Sequence, residues 1–344
     1  MMELDLTRVD YLQAGITCPK SMQVLPIAGK TQKIAVGDSD GVVQCFGVRK
    51  GEVQSVFRSS SRHGIARVVM GGQVGGVRER IFTCSGLEVN AFTKKGKNFL
   101  TFNTNMSEPV QSMYVEGTDL LVCGNFVFNH YRDCKDINYV VCNDKITDVL
   151  CLPTETRNGI TPILACQDRV LRVLQESDLL YEAEVPGPPV VLELYGNNGG
   201  DEGNEVLYGT SDGRIGMLQI GTLVPSHRWE VPNDKRSGGV LCLDNYDITA
   251  DGVLDLLVGR DDGQVEVYSY DDADEPVHRY SHSCSESVTS VRGGVIASPN
   301  YDEIVCSTYA GWVFALTTEH LTKEAGPQHV ATDAVAVAKI NNLK

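Results

Sequence analysis

Apolar and polar positions follow one short pattern that recurs along the chain and is clearest in residues 255–268, DLLVGRDDGQVEVY. The continuous apolar run at 256–258 predicts a buried strand. The alternation at 265–268 predicts a second strand with two different faces. Because glycine adopts positive φ without steric cost, Gly263 predicts a tight turn between the two strands, and the stretch therefore predicts a β-hairpin.

Six other stretches repeat this hairpin pattern. Aligned at the turn, the seven positions lie 40 to 50 residues apart, at Gly41, Gly86, Phe126, Arg169, Gly213, Gly263 and Gly311. A repeat of this length built from strands is typical of a β-propeller, in which each blade is a sheet of four strands. Seven hairpins therefore predict seven blades, although the third and fourth repeats have no glycine at the turn.

The other two strands of each blade are predicted by the segments between the hairpins. A short apolar segment precedes every hairpin, and a further strand that opens on a charged turn follows most of them. No such strand follows the last hairpin, whereas residues 4–12 alternate without a hairpin of their own. We therefore expect the N-terminal strand to complete the seventh blade and close the ring.

The expected fold class is all-β, a seven-bladed β-propeller over residues 1–319. The composition changes after this point, and residues 320–331 have the character of a linker. Residues 332–344 place Ala336, Ile340 and Leu343 at helical spacing, which predicts a short C-terminal helix. A helix of this length is marginal in water, so it is either a frayed tail or the start of a longer helix.

Composition and charge limit the classes of partner. The 344 residues carry a formal net charge of −15, with a pI of about 4.9. This balance argues against nucleic acid, which is bound through Lys and Arg, but it is compatible with a local basic patch and favours a basic protein partner. No apolar run is long enough to span a membrane, and the N-terminus does not resemble a secretory signal. The eleven cysteines then predict reduced thiols in the cytosol.

One loop has the spacing of oxygen ligands that a hard cation requires. Asp247, Thr249, Asp251 and Asp255 lie close together in sequence, with Gly252 available for a sharp turn. The loop resembles the calcium-binding loops of integrin-type propeller repeats, except that Thr249 replaces the usual Asp or Asn. We therefore predict weak calcium binding there, with a turn capped by its own aspartates as the alternative. No cofactor is required by anything else in the sequence.

The sequence gives little indication of catalysis. The chain contains no complete phosphate-binding loop and no His-Glu-x-x-His. We therefore predict a non-catalytic scaffold that binds other proteins. The alternative is a calcium-binding or enzymatic propeller with a site at the mouth of the central channel, supported only by the loop at 247–255.

Several longer strings resemble one family when taken together in order. They include DGVVQCFGVRKGE at 40–52, FTKKGKNFLTF at 92–102, ACQDRVLRVLQ at 165–175 and YDEIVCSTYAGWV at 301–313. They resemble the N-terminal propeller of the Bardet–Biedl syndrome protein 7 family, and the resemblance extends over nearly the whole chain.

The resemblance implies membership in the BBSome, a coat-like complex that sorts membrane proteins to and from cilia and supports ciliogenesis. It implies a coiled coil beginning near residue 332 that pairs with Bardet–Biedl syndrome protein 2. It also implies an indirect link, through another subunit, to an Arf-like small GTPase and membrane cargo. The implied locations are the cytoplasm, the cilium and its membrane as a peripheral protein, the basal body or centrosome and centriolar satellites. The family supplies no catalytic residues.

Overall fold

The computed structural model describes residues 4–26, 29–73, 77–152, 159–176, 178–196, 204–221, 223–270 and 275–320. These residues form seven antiparallel sheets of four strands each, and they contain no helix. The expected all-β propeller with seven blades is therefore confirmed. The predicted C-terminal helix at 332–344 lies outside the described residues.

Each blade is a simple meander of four strands, which we call A to D in the order of the sheet. The first four blades comprise β2 (Met22–Val24), β3 (Ile34–Gly37), β4 (Val42–Arg49) and β5 (Glu52–Ser60); β6 (Ile65–Gly71), β7 (Arg80–Ser85), β8 (Glu88–Phe92) and β9 (Asn98–Asn103); β10 (Ser112–Glu116), β11 (Asp119–Cys123), β12 (Val127–Arg132) and β13 (Lys135–Val141); and β14 (Ile146–Leu152), β15 (Thr161–Cys166), β16 (Val170–Gln175) and β17 (Asp178–Glu184).

The last three blades follow the same plan, but strand D of the seventh blade comes from the N-terminus. They comprise β18 (Pro189–Leu194), β19 (Glu205–Thr210), β20 (Ile215–Ile220) and β21 (Pro225–Val231); β22 (Val240–Tyr246), β23 (Asp255–Arg260), β24 (Gln264–Tyr270) and β25 (Pro276–Ser283); and β26 (Val288–Gly294), β27 (Glu303–Thr308), β28 (Trp312–Thr317) and β1 (Thr7–Gln13). The A strands of neighbouring blades contact one another, so strand A lines the centre of the ring.

The two faces of the ring differ in the loops they carry. One face, called here the connector face, holds the B–C turns and the segments that connect one blade to the next. The other, called the A–B face, holds the A–B and C–D turns. This division follows from the meander, because successive turns of an antiparallel sheet alternate between its two ends.

Strand β1 closes the ring by pairing with β28. The antiparallel ladder runs from Thr7 opposite Thr317 to Gln13 opposite Trp312. Beyond the ladder, the N–H of Ala14 donates to the carbonyl of Gly311 at 2.8 Å. The expectation that the N-terminal strand completes the seventh blade is therefore confirmed.

Five of the predicted turn residues occupy equivalent positions, whereas in the second blade the corresponding bond runs from the Thr104 N–H to the carbonyl of Leu87, one residue after Gly86. The first N–H after strand D donates to the carbonyl of the turn residue in five blades: Ser61 to Gly41 at 2.7 Å, Cys142 to Phe126 at 2.8 Å, Val185 to Arg169 at 2.9 Å, Cys284 to Gly263 at 2.8 Å and Ala14 to Gly311 at 2.8 Å. The alignment therefore holds for the two turns that have no glycine. Arg169 adopts the left-handed conformation, with φ +66°, that glycine provides elsewhere.

The apolar core is divided into seven clusters, one between each pair of neighbouring blades. Strand β23 shows how one strand serves two clusters. Leu257 packs against the seventh blade, whereas Leu256 and Val258 pack against the fifth. Because alternate side chains point to opposite faces, a strand covered on both sides must be apolar at successive positions. This explains the continuous apolar run that marked the repeat in the sequence.

Gly263 is required by both conformation and space. Its φ is +89°, and a Cβ at this position would lie 2.4 Å from the carbonyl oxygen of Cys284. Gly51 provides a matched control, because it has φ +76° but nothing within 4 Å of a Cβ. We expect Gly51→Ala to lower the free energy of unfolding by about 1 kcal/mol. Gly263→Ala should lower the free energy of unfolding by about 1–3 kcal/mol more than Gly51→Ala, because the neighbouring backbone must also move. Equal losses in chemical denaturation would contradict this account of the turn.

Candidate functional site

The central channel contains a buried carboxylate that receives hydrogen bonds from three of the surrounding blades and from the segment before β2. Asp148 lies on β14, and its Oδ2 accepts hydrogen bonds from Lys20 Nζ at 3.0 Å and from the Leu192 N–H at 2.9 Å. Its Oδ1 accepts from Ser112 Oγ at 2.7 Å and from Arg67 Nη2 at 3.3 Å. The donors lie near the starts of β2, β6, β10 and β18. One aspartate therefore links the inner strands of the first five blades.

A repeated irregularity in strand A places these side chains. The pairing of strands A and B shifts between Ile65 and Arg67 in the second blade and between Ile146 and Asp148 in the fourth. Similar shifts occur near the start of strand A in the last three blades. A bulge redirects the side chains beside it. Arg67 and Asp148 both follow such a shift, and they meet although 81 residues separate them.

Asp148 is ionised despite complete burial. Burial by itself would raise the pKa of its carboxyl group, but the Lys20 and Arg67 cations and the hydrogen bonds from Leu192 and Ser112 more than offset burial and lower the pKa to about 2. Lys20 also donates to the Leu192 carbonyl at 2.8 Å. The cluster is therefore an internal ion pair with most of its hydrogen-bonding groups occupied, and its geometry serves to join blades.

A second ionic cluster joins the last three blades. Arg292 of β26 donates through Nη1 to Glu193 Oε2 at 3.0 Å and to Asp244 Oδ1 at 2.8 Å. The second oxygen of Asp244 accepts the Gly293 N–H at 2.8 Å. Burial raises the pKa of Asp244, and the Arg292 cation opposes that rise. The two clusters together connect all seven blades around the channel.

The predicted calcium loop has its carboxylates turned towards its own backbone. Asp247 accepts the N–H groups of Asp251 at 3.1 Å and Gly252 at 2.9 Å. Asp255 is buried and accepts the Thr249 N–H and hydroxyl, each at 3.0 Å, and Ser269 donates to its other oxygen. Burial raises the pKa of Asp255, while the hydrogen bonds from Ser269 and Thr249 oppose the rise.

These contacts favour the alternative of a self-capped acidic turn. Among the residues that the structure describes between 4 and 320, with the gaps given above, no group of three or more His, Cys, Asp or Glu is arranged to hold a metal ion. The loop would have to release several backbone N–H groups before its carboxylates could coordinate calcium. Calcium binding at Asp247, Thr249, Asp251 and Asp255 stays a prediction.

One motif with the spacing of an esterase nucleophile also occurs. Residues 209–213 read GTSDG, which matches Gly-x-Ser-x-Gly. That motif activates a serine only on a sharp turn from a strand into a helix. Here it spans the end of β19 and the turn into β20, and Gly213 is the turn glycine of the fifth blade. The motif is therefore part of the propeller repeat.

The channel residues were not found from the sequence, although one signal was available. Arg67 and Asp148 are charged residues inside otherwise apolar A strands, IARVVMG and ITDVLCL. A charge at such a position needs a buried partner. The sequence did not indicate which partner, because Lys20 is 128 residues from Asp148.

The closed ring, its seven apolar interfaces and its paired channel charges define the class of this protein, a seven-bladed β-propeller. The model of the BBS7 β-propeller family matches residues 22–318. The chain therefore belongs to the BBS7 β-propeller family, and the resemblance noted in the sequence is confirmed.

Two curated relatives agree with this assignment. The BBSome complex member BBS7 of Mus musculus is 55% identical over 328 residues, which are 95% of this chain and 46% of the relative. The BBSome complex member bbs-7 of Caenorhabditis elegans is 29% identical over 317 residues, 90% of this chain and 44% of the relative. The chain thus spans less than half the length of either relative.

Solved structures of low sequence identity share the fold. The N-terminal domain of BBS1, crystallised in complex with ARL6, has a TM-score of 0.66 at 13% identity and covers 92% of this chain and 99% of its own. The WD40 β-propeller of Doa1 has a TM-score of 0.64 at 12% identity and covers 91% and 98%. These two structural similarities show only that the fold is shared.

The buried ion pairs of Asp148 with Lys20 and Arg67 predict that stability depends on pH in a specific way. Because the pKa of Asp148 is depressed in the folded protein, its contribution to stability is present above about pH 4 and is lost as the pH falls towards 2. At pH 7 we expect Asp148→Asn to lower the free energy of unfolding by about 3–5 kcal/mol, since two buried cations lose their counterion.

The matched control is Asp10→Asn, which removes an exposed carboxylate 2.8 Å from Arg8. Asp10→Asn should lower the free energy of unfolding by less than about 1 kcal/mol. Chemical denaturation from pH 7 down to pH 2 measures both variants. The difference in free energy of unfolding between the parent and Asp148→Asn should shrink below pH 4. A difference that stays constant with pH would contradict the assignment of an ionised Asp148.

Calcium titration separates the two interpretations of the acidic loop. The observed contacts lead us to expect no heat from calcium with either the parent or Asp251→Asn, and a loss of about 1 kcal/mol in stability for Asp247→Ala, which removes two caps. Heat that appears with the parent and disappears in Asp251→Asn would instead establish the calcium site.

Proposed function

We propose that this propeller is a non-catalytic interaction module within a BBSome subunit. The observation that carries the proposal is membership in the BBS7 β-propeller family, together with 55% identity to a relative that is named a BBSome complex member. Because the chain corresponds to less than half of that relative, the proposal concerns the propeller portion of such a subunit.

The geometry of the channel supports a scaffold. Asp148 is paired with two cations and Arg292 with two carboxylates, so every charged group in these two clusters has a partner of opposite sign. Catalytic sites instead keep ionisable groups available to a substrate. These contacts tie the blades to one another across the channel, which suits a subunit that holds its partners in a fixed arrangement.

The finer parts of the proposal follow the family resemblance. The role is the sorting of membrane proteins to and from primary cilia and the support of ciliogenesis, at the locations named above. Other BBSome subunits are the partners, with Bardet–Biedl syndrome protein 2 engaged through a coiled coil that begins near residue 332. The link to an Arf-like GTPase is indirect. The BBS1 domain solved with ARL6 shares only the fold with this chain. We therefore assign no GTPase-binding residues to this chain.

A capture experiment tests the proposal. The chain is immobilised and exposed to a lysate of ciliated cells, and the retained proteins are identified by mass spectrometry. We expect other BBSome subunits to be enriched over an immobilised Doa1 propeller, which has the same fold at 12% identity.

A second capture uses a longer chain that includes the coiled coil. Greater recovery of Bardet–Biedl syndrome protein 2 with the longer chain is expected. If neither chain retained any BBSome subunit above the Doa1 control, the proposed function would be wrong.

A further inference from the structure

The A–B face of the first two blades carries a concentration of lysines. In the sequence, the A–B and C–D turns of these blades, with the strand residues that border them, span 25–33, 49–52, 72–80 and 93–98, of which the structure describes all but 27–28 and 74–76. Together they contain nine Lys or Arg and only two acidic residues, Glu52 and Glu79, in a chain whose net charge is −15. We define the basic patch as the six lysines Lys30, Lys33, Lys50, Lys94, Lys95 and Lys97.

Packing between the two blades brings these turns together. Lys33 of the first blade and Lys94 of the second line one cleft, whose floor includes Leu25 and Pro26. The turn that carries Lys95 and Lys97 rests on strand D of the first blade. A Cβ on Gly96 in that turn would lie 2.4 Å from Phe57, and Gly96 has φ +89°. These contacts join the lysine-bearing turns of the two blades, and Lys30 and Lys50 lie on the A–B and C–D turns of the first blade at the same face.

Most of the positive charge in the patch is not neutralised internally. Lys94 pairs with Glu79 at 2.5 Å. For Lys30, Lys33, Lys50, Lys95 and Lys97, no ion pair is found within the part of the chain that the structure describes. Lys30, Lys50, Lys95 and Lys97 are exposed. Their ammonium groups are therefore available to an external anion.

Turns of other blades on the same face carry the opposite charge. Turns of the fourth, sixth and seventh blades on the A–B face carry Glu176, Asp178, Asp247, Asp251, Asp302 and Glu319. In the described residues these turns contain no Lys or Arg. The A–B face is therefore bipolar, with a basic side over the first two blades and an acidic side over the fourth, sixth and seventh blades, the last of which directly adjoins the first.

This bipolar arrangement distinguishes between two kinds of anionic partner. An anionic membrane is an extended plane, and a plane lying on the A–B face would be repelled by its acidic side. A compact acidic segment of a protein can contact the basic side alone. The cleft adds a preference, since Leu25 and Pro26 give it an apolar lining between flanking lysines.

We propose that the basic patch is a docking surface for an acidic, extended segment of a partner protein. Carboxylates of the segment pair with the exposed lysines, and one apolar side chain enters the cleft between the blades. Each exposed pair contributes about 0.2–1 kcal/mol, so affinity requires several pairs at once and falls with salt. The acidic side of the face sets the orientation of the partner by repulsion. The inference concerns this surface and does not depend on assembly of the BBSome.

The test uses a fluorescently labelled oligoglutamate peptide with one central leucine, titrated with the chain and followed by anisotropy. The patch variant is Lys50→Glu, Lys95→Glu and Lys97→Glu combined. The control variant is Arg62→Glu, Lys145→Glu and Lys235→Glu combined, which makes the same change in net charge at exposed cations on the connector face. Thermal melting of both variants establishes that they are folded.

We expect the patch variant to weaken peptide binding about tenfold and the control about twofold or less. Parent binding should also weaken steeply with added salt. Equal weakening by both variants would mean that only net charge matters, and it would overturn the proposal. An absence of peptide binding by the parent would do the same.

Two further measurements address other occupants of the patch. Sedimentation with phosphatidylserine vesicles detects membrane binding, and analytical ultracentrifugation detects self-association of the chain. Binding to vesicles or to a second copy that the patch variant abolishes, without a matching loss of peptide binding, would overturn the proposal. Peptide binding that depends on the patch, with neither vesicle binding nor self-association, would support it.

Discussion

The requirement that every blade be covered on both sides governs this structure. A single four-stranded sheet has two faces to bury, and here each face is covered by the neighbouring blade, so that seven apolar clusters alternate with seven sheets. The arrangement is complete only when the ring closes. Pairing of β1 with β28 supplies the fourth strand of the seventh blade and joins the two ends of the described chain in one sheet. The stability of any one blade therefore depends on its neighbours and finally on contact between the two ends of the chain.

The channel adds a second kind of constraint. Apolar packing is largely non-directional, whereas the hydrogen bonds around Asp148 and Arg292 require particular blades at particular distances. Buried ion pairs are costly to desolvate and contribute little net stability compared with apolar replacements. They do penalise arrangements in which a charge would lose its partner. We infer that they favour one arrangement of blades at the centre of the ring.

The exterior distributes charge differently from the interior. Inside, cations and carboxylates meet, and the local charge is nearly balanced. On the A–B face the two signs occupy different blades, with exposed lysines over the first two blades and carboxylates over the fourth, sixth and seventh. A separation of this kind does nothing for folding and costs some repulsion among like charges. It is understandable as a surface that selects and orients a partner, which is consistent with a propeller that acts through binding.

The seven hairpins, the glycine turns and the N-terminal strand of the last blade were all predictable from the order of residues, because they depend on local alternation and turn chemistry. Gly263 and the run before it carry that information in adjacent positions. The grouping of Lys20, Arg67 and Asp148 was not predictable, since these residues are up to 128 positions apart and meet only after the ring has closed. The acidic loop shows the same limit: its spacing suggested calcium ligands, and only the folded backbone revealed which N–H groups its carboxylates accept. Local patterns specify strands and turns, whereas side-chain partners across blades depend on three-dimensional distances that no local pattern contains.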